Sequence, residues 1–192
     1  MRLFAAVLPP QDVAGELAAA ADGLRGLPGA DALRWTGRPG WHLTLAFYGE
    51  VDDTLVPDLS ARLARAARRG APFPLALSGG GQFGGGRALW TGVRGDLAAL
   101  RLLAERAEAA ARRAGVPMGE HRRYRAHLTL ARARDRADVD VQPYLESLAA
   151  FTSRTWTVAD LALVRSNLPR SGVPGERPRY ETVARWALGG AG

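Results

Sequence analysis

Apolar residues alternate with polar ones, or run together in short stretches, at Arg2 to Leu8, Leu33 to Trp35 and Trp41 to Tyr48, and this spacing predicts strands. Between them the period lengthens. Val13, Leu17, Ala20, Ala21 and Leu24 fall on one face of a predicted helix. Leu55, Leu59, Leu63, Ala66 and Ala67 do the same on a second, which follows Asp53 and Thr54 and stops at Gly70. The series then begins again. A strand is predicted from Arg87 to Val93, then a helix with Leu97, Leu100, Leu103, Ala104 and Ala107 on one face, capped by Asp96 and ended near Gly115. A strand around Tyr124 to Ala131, a helix around Val141 to Leu148, and strands within Thr155 to Val164 and Tyr180 to Leu188 complete the chain. The glycine-rich segment Ser78 to Gly86 opens no helix and reads as a wide hairpin turn, and Arg170 to Arg179 reads as an exposed loop.

The two halves repeat one order: strand, helix, strand bearing His-Leu-Thr-Leu, helix. His42 lies 39 residues after Leu3, and His127 lies 38 residues after Leu89. Such a near-repeat predicts two related lobes whose equivalent strands meet across a pseudo-symmetric cleft. The competing expectation is an ordinary α+β domain in which the spacing is accidental.

On a strand, His42 and Thr44 share one face while Leu43, Leu45 and Phe47 take the other, and His127 and Thr129 are likewise set against Leu128 and Leu130. Each motif thus offers an imidazole and a hydroxyl on a strand anchored by leucines; Phe47 is expected in the core. The chain has three histidines and nine threonines. A given histidine has roughly a one-in-twenty chance of a threonine two places on, so two of three by accident falls below about one percent. Histidine's ordinary pKa of about 6.5 lets one imidazole accept a proton while another donates one near neutral pH. Splitting a phosphodiester requires that pair of transfers. The third histidine, His121, lies in the basic stretch Glu120 to Arg125 and is expected in an exposed loop; Tyr124 is a candidate for stacking on a base.

Composition narrows the chemistry further. The 26 basic residues are all arginine, which removes lysine-dependent phosphate loops, Schiff bases and lysyl-nucleotide intermediates. There is no cysteine, hence no disulfide, thiolate nucleophile or cysteine metal site. A formal charge of +7 favours a polyanionic partner, although a GC-rich coding sequence would also enrich arginine. No apolar run approaches a membrane span, and Leu3 to Leu8 is too short for a signal peptide, so the chain is expected in the cytoplasm.

Taken together, Met1 to Val7, Leu33-Arg34-Trp35, Trp41 to Val51 and His127 to Arg132 resemble the two-histidine phosphoesterase superfamily, in its LigT-like branch of RNA 2′,3′-cyclic phosphodiesterases. Leu163 to Leu168 with Tyr180 is similar to that family's closing strands. The resemblance implies one α+β domain over 1–192, made of two intertwined lobes with antiparallel sheets forming a concave cleft and helices outside. It implies hydrolysis of RNA 2′,3′-cyclic phosphate ends, tRNA fragments among them, to 2′-phosphomonoesters, with no cofactor or metal; a monomer is expected, since one chain already carries both halves of the site. ATP-independent 2′-5′ ligation is the implied reverse reaction. By carry-over, His42 protonates the leaving O3′, His127 activates water, and Thr44, Thr129 and Arg132 bind the phosphate. Strict alternation sets Arg132 on the leucine face, so a bulge, a twist or the strand's end has to turn it. Ala126 stands where the family often has proline. A non-catalytic basic RNA-binding module and a metal enzyme using the two histidines are the competing readings; neither motif contains the carboxylate or further histidine that the latter needs.

Overall fold

The computed structural model describes residues 1–134, 137–169 and 177–190. In chain order the elements are β1 (Arg2–Val7), α1 (Gln11–Arg25), β2 (Leu33–Trp35), β3 (Leu43–Glu50), α2 (Val56–Arg68), β4 (Phe73–Phe83) and β5 (Ala88–Gly95). They continue with α3 (Leu97–Arg113), β6 (Leu128–Ala133), α4 (Gln142–Ala149), β7 (Trp156–Val158), β8 (Asp160–Asn167) and β9 (Arg179–Ala187). The fold is α+β with two antiparallel sheets. One has the order β3-β1-β8-β9, the other β2-β6-β5-β4-β7. In each, the strand following a motif histidine lies beside the strand that opened its half of the chain, β3 beside β1 and β6 beside β5.

The helices form where the 3.6-residue apolar period is strongest. Asp96 caps α3, its carboxylate accepting from the Ala99 N–H at 3.0 Å, and Leu100, Leu103, Ala104, Ala107, Ala110 and Ala111 give the helix its buried face. Leu59 and Leu63 of α2 are fully buried, and each such side chain contributes roughly 1.5–3 kcal/mol. Along β1, Leu3, Ala5 and Val7 enter this main core, while Phe4 and Ala6 on the opposite face join Ala162 and Val164 in a second small cluster. β1 is therefore buried on both faces: helices cover one, and the other carries the site. No helix of the described residues is long and apolar enough to cross a membrane.

The glycine-rich segment departs from the expected turn. β4 runs through Gly79, Gly80 and Gly81, and the turn is confined to Gly84–Arg87. Its glycines are needed for close approach: a Cβ on Gly81 would lie 2.2 Å from the Trp90 ring, and one on Gly80 would lie 2.5 Å from Leu148. The strand expected from Tyr124 begins only at Leu128, and Thr155 to Val164 divides into β7 and β8. Of the expected loop Arg170 to Arg179, residues 170–176 lie outside the described residues.

Candidate functional site

Both motif histidines stand one residue before their strands, β3 and β6, and are held in the same way. His42 Nδ1 lies 2.8 Å from the Gly40 carbonyl and His127 Nδ1 lies 2.7 Å from that of Arg125, each two residues upstream. A carbonyl can only accept, so each Nδ1 carries the proton and donates it, leaving each Nε2 with a free lone pair. Cross-strand register sets Thr44 opposite Ala6 and Thr129 opposite Trp90, on the sheet faces away from the main core. Both threonines are half-buried, and neither hydroxyl makes a hydrogen bond among the described residues.

Each motif then carries a bulge at its last leucine. Ala6 pairs with Thr44 but Ala5 with Ala46, which leaves Leu45 as the extra residue; Trp90 pairs with Thr129 but Leu89 with Ala131, which leaves Leu130. One extra residue inverts the alternation. Arg132, opposite Ala88, thereby comes round to the histidine face and is exposed. Phe47, opposite Phe4, comes round too and is 51% exposed, so its expected place in the core is corrected by the same bulge. Phe47 and Arg132 hold the same position, five residues after their histidines. The Arg2 guanidinium sits 4.9 Å from the centre of the Phe47 ring.

The surroundings of the two imidazoles differ. His42 packs against Phe4 at 4.6 Å and against the edge of Tyr180 at 5.3 Å. Burial among these rings pushes its pKa down to about 4, opposed by the Gly40 hydrogen bond and reinforced by the charge of His127. His127 packs against Phe83 at 4.8 Å and Trp90 at 6.0 Å. Its pKa is also lowered, by burial first, and then by the positive charges of Arg132 and Arg125 against the Arg125 carbonyl bond. Both rings are thus neutral at pH 7, and a charge on His127 disfavours one on His42.

Beside them opens a groove of about 880 Å³ bordered by Gly40, Tyr180, Arg132, Arg34, Arg177 and Arg179. Register sets Arg34 of β2 directly opposite Arg132 of β6. Like charges facing each other across two strands repel, and a bound anion relieves that repulsion. Sequence reasoning did not single out Arg34; its signal was an exposed arginine between the buried Leu33 and Trp35 of a short strand. Phe4, Phe83 and Trp90 were missed because only tertiary pairing brings them to the histidines. His121 is exposed and contacts Glu108 at 3.0 Å, away from the motif pair; Tyr124 is half-buried, its hydroxyl without a hydrogen-bond partner among the described residues. Among the described residues no three His, Asp or Glu side chains converge in a metal-ligating cluster.

Residues 7–90 and 95–174 match the family model described as LigT like Phosphoesterase. An RNA 2′,3′-cyclic phosphodiesterase of Geobacillus stearothermophilus is 34% identical over 161 residues, 82% of this chain and 48% of that protein, so the chain spans about half of that relative. One of Thermus thermophilus is 34% identical over 99% of this chain and 91% of its own length. Among solved structures, TT0787 of Thermus thermophilus superposes with a TM-score of 0.77 at 29% identity, over 99% of both chains. Escherichia coli LigT complexed with 3′-AMP gives 0.72 at 27% identity over 97% of this chain and 96% of that one. With sequence and fold in agreement, the chain belongs to the LigT like phosphoesterase family.

Proposed function

We propose that this chain hydrolyses the 2′,3′-cyclic phosphate at RNA ends to a 2′-phosphomonoester by general acid–base catalysis between His42 and His127. The observation that carries the reading is the duplicated presentation of the rings: each Nδ1–H is committed to a backbone carbonyl, so each Nε2 is the atom left to exchange a proton. One Nε2 takes a proton from water as its oxygen attacks phosphorus; the other delivers a proton to O3′ as the P–O3′ bond breaks. Each transfer is worth roughly 10² to 10⁴-fold. Thr44 and Thr129 donate to the nonbridging oxygens, and Arg132, with Arg34 beside it, offsets the phosphate charge. Phe47 offers the terminal base a face on which to stack, and the relatives' RNA phosphodiesterase activity supports an RNA end as substrate.

The acid role assigned to His42 needs the substrate's help. With its pKa near 4 the ring is unprotonated at neutral pH in the protein alone, and a bound phosphate anion raises it. Binding then draws in the proton that the leaving oxygen receives. Reversed, the same two transfers join a cyclic phosphate to a hydroxyl end without ATP. Each sheet contributes one motif, so two lobes form one domain and a monomer holds a complete site.

The test is incubation of an oligoribonucleotide ending in a 2′,3′-cyclic phosphate with the protein in EDTA, followed by identification of the terminal phosphate. A 2′-phosphomonoester is expected. An intact cyclic end would refute the reading, and a product formed only after a divalent metal is restored would move the two histidines to the role of ligands.

A further inference from the structure

Arginines also gather far from the histidines. α3 packs behind β3, and α2 packs against α3 and behind β8 and β9, so both lie on the side of their sheet opposite His42. Between these two helices runs a groove of about 320 Å³. Its rims carry Arg62, Arg65 and Arg69 from α2 and the residue following it, and Arg106 and Arg113 from α3. Ala66, Ala109 and Ala110 also line it, side chains too short to fill the space between the helices. It continues past Arg69 and Arg106 into a second hollow of about 190 Å³ that both residues share.

The acids that form salt bridges on this surface lie mostly outside the groove. Asp22 pairs with Arg25, Glu108 with Arg112, Asp12 and Glu16 with Arg154, and Asp160 with Arg185. Among the described residues, only Arg62 of the groove has such a partner, Asp58. Arg65, Arg69, Arg106 and Arg113 form no salt bridge among the described residues, and Glu105 is the one acid of the lining. Arg65 and Arg69 stand one helical turn apart, where like charges repel. The last-turn place of Arg65 and Arg113 suits the helix dipole, but Arg106 lies mid-helix, and two separate helices aim their cations at one channel.

The groove also has a basic connection to the catalytic side. Glu105 and Glu108 line a further hollow of about 210 Å³ with Arg101, His121, Arg122 and Arg123. That loop leads to Arg125, whose carbonyl holds His127 and whose guanidinium lies 4.9 Å from the centre of the Phe83 ring.

We propose that the α2–α3 groove is a second, sequence-independent contact for the RNA backbone, holding the body of a longer RNA while its end occupies the cleft. The identity of the polyanion as RNA rests on the reading of the cleft given above. Guanidinium forks suit phosphates, and contacts of this kind add affinity without reading bases. Nucleoside cyclic phosphates, which reach only the cleft, do not sense the groove.

Binding of a fluorescein-labelled oligoribonucleotide of about 25 nucleotides, measured over a range of salt, is compared with hydrolysis of cytidine 2′,3′-cyclic phosphate. The proteins are the wild type, the triple variant Arg65→Gln, Arg69→Gln, Arg106→Gln, and Glu105→Gln. The triple variant is expected to bind the oligonucleotide at least about tenfold more weakly, with a log–log salt slope shallower by about 2, as loss of three single-strand phosphate contacts requires. Its hydrolysis of the nucleoside substrate stays within about twofold of wild type, because that substrate ends short of the groove. Glu105→Gln removes the repelling acid and tightens RNA binding, a gain that misfolding cannot imitate. Unchanged RNA affinity and salt slope in the triple variant would overturn the proposal, as would a parallel loss of nucleoside hydrolysis and RNA binding. A wild type that binds RNA through these arginines but leaves cytidine 2′,3′-cyclic phosphate intact upholds the groove and removes only the cyclic phosphodiesterase reading.

Discussion

The β3 and β6 motifs share a backbone and differ in chemistry. Both present a histidine whose Nδ1 is tied two residues back, a threonine two residues on and a bulge at the next leucine. On β3 the bulge turns out Phe47, and His42 sits among the rings of Phe4 and Tyr180; on β6 it turns out Arg132, and His127 feels two guanidinium charges. A symmetric scaffold therefore holds an asymmetric site: rings pack against both histidines, but the bulge presents a phenyl ring beside one and a guanidinium beside the other. A nucleotide end has that same division between base and phosphate.

The largest effect on this comparison should come from the cationic side. In the proposed reaction Arg132 donates to the developing phosphate charge, so Arg132→Gln is expected to lower kcat/KM for a cyclic phosphate end by about 10² to 10³-fold. A loss no larger than that from Arg34→Gln would mean the two guanidinium groups share the role equally. On the aromatic side Phe47→Ala is expected to lower kcat/KM about tenfold, since stacking of a base is worth roughly 1–3 kcal/mol. The loss should vanish for a substrate lacking a base, and if it persists Phe47 serves the fold instead.

The smallest and most diagnostic effect is in pH. His42 falls to about 4 and His127 is also lowered, so the singly protonated pair in the free protein is most populated below pH 6.5. The kcat/KM profile should be a bell with its maximum on the acid side of that value. The same shift bears on stability: the unfolded chain takes up protons before the folded one as pH falls through 6.5 towards 4. Stability is then lost over that window, on the order of 3 kcal/mol for His42. A maximum above pH 7 would show that the cleft does not depress the two rings.

Much of this was legible in the chain because strands and helices have fixed periods. The His-x-Thr spacing sets two side chains on one face without knowledge of the fold, and Asp96 announced the start of α3 before any helix was seen. What was not legible depends on pairing. A bulge leaves no mark in the residues that form it, so Phe47 was expected in the core and the direction of Arg132 stayed unresolved. Glycines 79–81 looked like a turn because their reason, the Trp90 ring and Leu148, comes from other elements. Arg34 and Tyr180 reach the site only through the registers of β2 with β6 and β8 with β9.

The central claim is that His42 and His127 act as one acid–base unit. Its most direct test is a double-mutant cycle on kcat/KM for a 2′,3′-cyclic phosphate end, with His42→Ala, His127→Ala and the double substitution assayed in EDTA. Each single change should cost about 10² to 10⁴-fold, and the double little more than the worse single, because one transfer is useless without the other. Losses that multiply would contradict the claim by showing independent contributions, and so would a single variant that keeps wild-type activity.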